Sequence, residues 1–222
     1  MIRVENLRKS YRRPDGSRLV VYDNLNLELP ARTNVGIMGR NGAGKSTLIR
    51  LLSGVDRPEA GRVIVEGRIS PPIGDKGGVS NWLSGRENAK FVARVCGLEG
   101  DALRERVEFI KTFSELGEFF EQPVKTYSSG MRQRLGFSIS MAFDYDYYLL
   151  DEATSAGDHR FRKRANQAFR TKRNRASIIL VSHSVNALRE WCDVGLYIKD
   201  HQVHYFDDVD DAVDAYMRDN DL

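Results

Sequence analysis

The chain has 222 residues, 41% of them hydrophobic and 29% charged, which is enough apolar sequence to bury one substantial core. Its formal net charge is only +3, so composition does not predict the strong positive field of a nucleic-acid-binding protein. No apolar run approaches the roughly 18 residues of a membrane helix, and Cys96 and Cys192 fit buried thiols, so we expect a protein that is cytosolic or held at a membrane only through another component.

Short strands alternate with helices along the chain, a pattern typical of a layered α/β domain. Residues 2–11 and 19–29 predict two early strands, and residues 34–39 predict a short buried strand that runs into glycine. Residues 85–143 are more helical, and the apolar runs "YDYYLLDE" and "ASIILVSH" then predict strands of a buried parallel sheet. The order indicates a nucleotide-binding core, within a single domain of residues 1–222, interrupted by a helical subdomain at about 85–143.

The segment "GRNGAGKST" follows the third predicted strand and matches the phosphate-binding pattern G-x-x-x-x-G-K-[ST]. Its glycines let backbone N–H groups face phosphate oxygens at the start of a helix, whose dipole favours an anion there. Lys45 is expected to pair with the β- and γ-phosphates, and Ser46 to ligate Mg²⁺. The predicted nucleotide-contacting residues of this P-loop are Gly39, Arg40, Asn41, Gly42, Ala43, Gly44, Lys45, Ser46 and Thr47.

Two acidic residues, Asp151 and Glu152, end the apolar strand "YYLLDE". The carboxyl edge of such a sheet is where α/β folds bind ligands, so we expect Asp151 to hold Mg²⁺ and Glu152 to act as general base toward the attacking water. An acidic pair at a strand end is otherwise often a helix cap. His183 ends the neighbouring predicted strand and is expected to contact the γ-phosphate, although an isolated histidine is more often structural.

The order of the P-loop, "YSSGMRQR", "YYLLDE", "SAGD" and "SH" resembles the ATPase subunit of ATP-binding-cassette (ABC) transporters over nearly the whole chain. The resemblance implies a P-loop NTPase of the ABC-ATPase fold, with a helical signature subdomain and an N-terminal antiparallel β-subdomain. In the family the signature turn, here Ser128, Ser129 and Gly130, contacts the γ-phosphate of ATP on the other subunit. Tyr11 matches the aromatic residue that stacks on adenine, with Tyr22 or a plain strand position as alternatives, and Asp158 matches the loop linking the two composite sites.

Departures from the family pattern resemble one branch, the ATPases of capsular polysaccharide exporters. The coupling loop normally carries a Gln, but none occurs between the P-loop and Gln122, and Asp75 is only a weak substitute. The stretches "SGREN", "SSGMRQRLGFSISMAFDYDYYLLDE" and "GDHRFRKR" are similar to that branch. O-antigen and teichoic acid exporters share parts of the pattern, but several carry a long carbohydrate-binding extension.

The resemblance therefore implies a homodimeric ATPase, using ATP and Mg²⁺, that binds an integral membrane permease on the cytoplasmic face of the bacterial inner membrane. Its contact with the membrane is expected through that partner, and no nucleic acid is expected. The alternatives are an O-antigen or teichoic acid exporter, an importer ATPase of the same fold, and a soluble cassette ATPase acting on DNA or ribosomes. The last class commonly needs two cassettes in one chain or a long coiled coil, and neither is present in this sequence.

Overall fold

A computed structural model describes residues 1–73, 79–151, 159–173 and 175–220. The chain divides into two compact units, each formed from separate stretches of sequence. The first unit comprises Met1–Pro72, Tyr145–Glu152 and Arg173–Leu222, and the second comprises Ile73–Asp144 and Ala153–Lys172.

Eight strands, all in the first unit, form two sheets within the described ranges. They are β1 Ile2–Arg12, β2 Arg18–Leu29, β3 Val35–Gly39, β4 Ala60–Val65, β5 Tyr147–Asp151, β6 Ser177–Val181, β7 Val194–Lys199 and β8 Gln202–Phe206. The first sheet has the order β2-β1-β4 and is antiparallel throughout. It confirms the N-terminal antiparallel β-subdomain that the sequence predicts, although β4 was not among the predicted strands.

The second sheet has the order β5-β6-β3-β7-β8, in which the first four strands are parallel and β8 pairs antiparallel at one edge. Every residue of β3 and β6 is buried, as expected for parallel strands covered on both faces. The β7–β8 hairpin was not predicted, because its turn uses Asp200 and His201 at positive φ in place of the usual Asn-Gly. Parallel pairing brings the carboxyl ends of β3, β5 and β6 to one edge of the sheet.

The helices of the structure are α1 Lys45–Leu52, α2 Gly85–Val95, α3 Gly100–Ser114, α4 Ser129–Met141, α5 His159–Arg173, α6 Val185–Trp191 and α7 Val209–Arg218. Helix α7 packs closely on β7, since a Cβ added to Gly195 would lie 2.2 Å from the Cβ of Ala212. Helix α2 begins at a capping box, in which Ser84 and Glu87 each accept the other's backbone N–H. Within the described ranges no helix combines the length and the apolar character required to cross a bilayer.

The second unit has its own aromatic core. The ring of Phe137 lies 5.9 Å from Phe113, 5.6 Å from Phe161 and 5.1 Å from Phe169, measured between ring centroids. The contacts to Phe161 and Phe169 are edge-to-face, an arrangement that adds to the energy of burial. These residues come from α3, α4 and α5, so one cluster holds the three helices together.

The two cysteines are free thiols. Cys192 is buried as expected, and burial raises the pKa of its thiol to about 12. Cys96, the residue after α2, is only partly buried, so the expectation of a buried thiol was wrong there.

Candidate nucleotide-binding site

A cavity of about 280 Å³ opens in the first unit at the carboxyl edge of the parallel sheet. Strand ends at this edge are the usual ligand position in open α/β sheets. The cavity is lined by Tyr11, Leu19, Val21, Asn41, Gly42, Gly44, Lys45, Ser46, Thr47, Asp151, Val181 and His183. It therefore brings together residues from most of the P-loop, from the acidic end of β5, from the histidine after β6 and from the N-terminal sheet.

Not all of the P-loop faces this cavity. Arg40 and Ala43 line a second cavity, shared with the β7–β8 hairpin, which also contacts Asn41 and Gly42. Gly39 ends β3 and lines neither cavity. The loop therefore separates the two cavities. Lys45 and Ser46, the residues expected to bind phosphate and Mg²⁺, line only the first cavity.

The backbone of the P-loop requires glycine at position 44. Gly44 has φ +112°, in the left-handed region that side chains rarely adopt, and a Cβ there would lie 2.8 Å from the Tyr22 hydroxyl. Helix α1 begins at the next residue, Lys45, so the backbone N–H groups of its first turn, which have no acceptor within the helix, border the cavity. These N–H groups and the positive end of the helix dipole make this wall favourable for phosphate oxygens.

The Lys45 ammonium is held in place by the loop that surrounds it. Its Nζ donates to the carbonyl oxygens of Gly39 at 2.7 Å and of Arg40 at 3.0 Å, and the residue is only 8% exposed. A cation with few neighbouring waters interacts more strongly with an anion than an exposed one does. The position of Lys45 therefore suits the binding of terminal phosphates.

The two candidate adenine-stacking tyrosines lie in different environments. Tyr22 is fully buried, its hydroxyl donates to the Gly44 carbonyl at 3.0 Å, and burial raises its pKa well above the ordinary value. Tyr11 is 37% exposed and lines the cavity beside its cross-strand neighbour Leu19. The ring of Tyr22 has no free face for a ligand, so the structure leaves Tyr11 as the aromatic wall.

Leu19 and Val21 also line the cavity, although neither was predicted as a site residue. They alternate along β2, which puts both side chains on the same face of the strand. That alternation is the sequence signal that could have identified them, once Tyr11 was assigned to the cavity. With Tyr11 they give one end of the site an apolar, aromatic character suited to a nucleobase.

Asp151 and His183 meet at the same edge because β5 and β6 pair in parallel register. Asp151 lies opposite Val181, and His183 follows two residues after Val181. Asp151 is half-buried, His183 is exposed, and both line the cavity. The expected neighbourhood of the acidic strand end and the histidine is therefore present in the structure.

The oxygen donors of the cavity fit Mg²⁺. Ser46 supplies a hydroxyl and Asp151 a carboxylate, both lining the same space. Mg²⁺ bound with nucleotide typically uses one or two protein oxygens, substrate phosphates and water. Within the described ranges no group of three or more His, Cys, Asp or Glu residues could hold a metal ion alone. The donor set thus suits a cation that arrives with a phosphate ligand.

The signature turn lies in the second unit, at the start of α4. Ser128 caps this helix, and its hydroxyl accepts the backbone N–H of Met131 at 3.2 Å. Ser128 and Ser129 are exposed, and a Cβ added to Gly130 would approach nothing closer than the Ser128 hydroxyl, at 4.0 Å. The packing of the described residues therefore does not itself require glycine at position 130.

Three residues singled out from the sequence lie outside the described residues. They are Glu152, Asp158 and Asp75. Their roles stay predictions.

Comparison with known proteins gives close relatives along the full length. The family described as ABC transporter matches residues 22–155. The chain is 48% identical to the polysialic acid transport ATP-binding protein KpsT of Escherichia coli, over 100% of this chain and 99% of the relative. It is 40% identical to the capsule polysaccharide export ATP-binding protein CtrD of Neisseria meningitidis serogroup B, over 97% of this chain and 98% of the relative.

The fold has close structural counterparts as well. A dimeric structure of the ATP-binding cassette MJ0796, in a post-hydrolysis state with ADP and Pi, superposes with a TM-score of 0.79 at 22% identity, covering 94% of this chain and 99% of that one. At that identity the similarity establishes the fold alone, and it confirms the predicted ABC-ATPase fold class. From the family match, the full-length relatives and this fold, we conclude that the chain belongs to the ABC transporter family as an ATP-binding subunit.

Proposed function

We propose that this chain is the ATPase subunit of a transporter that exports lipid-linked capsular polysaccharide across the bacterial inner membrane. The observation that carries the proposal is the 48% identity to a polysialic acid transport ATP-binding protein, over 100% of this chain and 99% of that relative. The alternatives are export of O-antigen or teichoic acid, and a soluble ATPase without a membrane partner.

Nucleotide binding is proposed to use both ends of the cavity. The adenine ring stacks on Tyr11, against the apolar side chains of Leu19 and Val21. The phosphates lie against the P-loop backbone and the start of α1, where Lys45 pairs with the β- and γ-phosphate oxygens. The aromatic contact fixes the base, while the charged contacts fix the reacting group.

Hydrolysis is proposed to use the acidic end of β5. Ser46 and Asp151 would hold Mg²⁺, which supplies charge neutralisation on the phosphate oxygens when it is bound with ATP. Glu152, which follows Asp151 in the chain, polarises the attacking water as general base. His183 lies at the same edge of the cavity and orients that water near the γ-phosphate. Each proposed role requires only that the side chain reach this edge of the sheet.

The signature turn is proposed to act on the nucleotide of a second copy of this chain. Ser128 fixes the start of α4, and the exposed serines and open surface at Gly130 leave room for an external phosphate. A hydroxyl, unhindered N–H groups and a helix start are all attractive to anionic oxygen. Two ATP molecules would therefore join two subunits, with Asp158 in the loop linking the two composite sites, and hydrolysis would release them.

Force transmission is proposed to involve the second unit and a membrane permease on the cytoplasmic face of the inner membrane. That unit exposes large apolar side chains at Trp82, Phe91 and Val95, which are 77%, 58% and 72% exposed. Phe91 and Val95 are four residues apart in α2 and share one face. Exposed apolar side chains of this size commonly mark protein contacts.

Copurification from detergent-solubilised membranes tests this proposal. An affinity-tagged chain expressed in its own host should recover an integral membrane permease, and the yield should fall in a Phe91→Ser variant whose melting temperature is unchanged. Recovery of nucleic acid at moderate salt, with no membrane protein, would instead support the soluble ATPase. Loss of surface O-antigen or teichoic acid, with capsule intact, on deleting the gene would support one of the related exporters.

A further inference from the structure

Tyr11, the aromatic side chain that lines the cavity, contacts a largely buried ion pair that has no part in the proposed ATPase mechanism. Lys9 and Asp56 pair at 2.6 Å between Nζ and Oδ1, with side chains only 10% and 17% exposed. Lys9 also donates to the Arg57 carbonyl at 2.9 Å, and the Arg57 backbone N–H donates to Asp56 at 2.7 Å. The pair therefore joins strand β1 to the segment between α1 and β4.

Tyr11 is attached to this pair at two points. Its hydroxyl donates to Asp56 Oδ2 at 2.7 Å, so the two carboxylate oxygens of Asp56 hold Tyr11 and Lys9 separately. The Lys9 ammonium lies 5.0 Å from the centroid of the Tyr11 ring, over one of its faces. The ring is thus fixed at its tip by a hydrogen bond and at one face by a cation, which leaves the other face for stacking.

Asp56 and Tyr11 each have the ionisation state that the hydrogen bond between them requires. Burial raises the pKa of Asp56, but hydrogen bonds from Lys9, Tyr11 and the Arg57 backbone outweigh it and hold that pKa below its ordinary value. Burial and the bond to Asp56 raise the pKa of Tyr11, although a hydrogen bond with Thr47 acts in the opposite direction. At neutral pH a carboxylate therefore accepts from a neutral phenol.

We propose that Asp56 and Lys9 are positioning residues that hold the ring of Tyr11 ready to stack on the base of ATP. The proposal rests on the nucleotide-binding function proposed above and deepens it. An exposed aromatic side chain that turns freely must be ordered by the ligand, and that ordering lowers affinity. A ring already fixed by Asp56 avoids this loss, so the cluster raises affinity for the base and not for the phosphates.

The test compares ligands with and without a base. Asp56→Ala should raise the Kd and KM for MgATP roughly two- to tenfold, the range expected for ordering one side chain, with little change in kcat. The Kd for inorganic tripolyphosphate with Mg²⁺ should not change, because that ligand has no base. Asp56→Asn keeps a hydrogen-bonding partner for the phenol and should restore most of the affinity for ATP.

A double-mutant cycle separates positioning from general stability. Tyr11→Phe removes the hydroxyl but keeps the ring, so Asp56→Ala should add little to its effect on the Kd for ATP. Glu59→Ala is the matched control, since Glu59 accepts from the neighbouring Ser10 hydroxyl at 2.8 Å. It should leave ATP affinity unchanged.

Three results would overturn the proposal. The first is that the effects of Asp56→Ala and Tyr11→Phe on the Kd for ATP multiply in the double mutant. The second is that Asp56→Ala weakens tripolyphosphate binding as much as ATP binding. The third is that a folded Asp56→Ala variant has an unchanged Kd for ATP. Failure of the proposed ATPase function gives a different set of results from failure of the positioning role.

If Lys45→Ala abolishes ATP binding while Tyr11→Ala does not alter it, the ATPase assignment stands but the positioning role is wrong. A wild-type chain that does not bind ATP overturns both.

Discussion

Replacing Tyr22 with Phe tests whether this tyrosine supports the P-loop or binds nucleotide. The substitution removes only the hydroxyl, which donates to the Gly44 carbonyl at 3.0 Å. That carbonyl also accepts the Leu48 backbone N–H at 2.9 Å, so it keeps one partner in the variant. The free energy of unfolding should therefore fall by the net value of one hydrogen bond, about 1 kcal/mol. It should not fall by the larger amount expected when a buried carbonyl loses all its partners.

Thermal unfolding measures whether Tyr22 supports the P-loop, and ATPase kinetics measure whether it binds nucleotide. A loss of about 1 kcal/mol lowers the Tm by roughly 2–4 °C in a chain of this size. Because Tyr22 is fully buried and its hydroxyl bonds the Gly44 carbonyl, the KM for ATP should change by less than about threefold, as expected for a hydroxyl that does not contact nucleotide. Tyr22→Leu is the harsher control, which removes the ring and should lower the Tm further.

The opposite pattern would refute this reasoning. If Tyr22→Phe raised KM tenfold or more while the Tm stayed unchanged, the Tyr22 hydroxyl would contact nucleotide. Tyr22 would then be a nucleotide-binding residue and not only a support for the P-loop. A fall of more than about 3 kcal/mol in stability would instead indicate that Gly44 loses its helical hydrogen bond as well.

Other consequences can be measured on the same protein. Glu152→Gln should keep ATP binding but slow hydrolysis roughly 10² to 10⁴-fold, and near-normal turnover would remove it as general base. Gly195→Ala should destabilise the chain by about 1–3 kcal/mol, because its Cβ would overlap Ala212, and an unchanged Tm would contradict that packing. Mixing inactive Lys45→Ala and Gly130→Asp chains should restore ATP-dependent dimers. Their absence, with both variants folded, would exclude a signature acting between subunits.

Local motifs were sufficient to predict the residues that are proposed to bind phosphate. The P-loop places its functional groups within nine consecutive residues, so Lys45 and Ser46 could be assigned before any tertiary contact was known. Asp151 and His183 needed one further step, the pairing of two apolar runs as neighbouring parallel strands. That step was possible because fully buried parallel strands have an unbroken apolar composition.

The base end of the site depends on contacts that are distant in sequence. Choosing Tyr11 over Tyr22 requires knowing which of the two side chains the P-loop covers, and the local sequence around each tyrosine, on two paired strands, does not reveal that. Asp56 lies 45 residues from Tyr11, in a loop with no motif of its own. Strand β4 was missed for a similar reason, because its pairing is determined by the sheet it joins and not by a strong local pattern. The β7–β8 hairpin was missed because its turn lacks the usual Asn-Gly pair.

Surface capsule in a chromosomal Lys45→Ala strain tests the central claim most directly. The variant removes the cation proposed to pair with phosphate while keeping the rest of the chain, and a Glu59→Ala strain serves as the matched control. If the chain powers export, the Lys45→Ala strain should lack surface capsule and accumulate the same polysaccharide inside the cell, while the Glu59→Ala strain stays encapsulated. Normal surface capsule in the Lys45→Ala strain, with the variant present at wild-type abundance, would contradict the account.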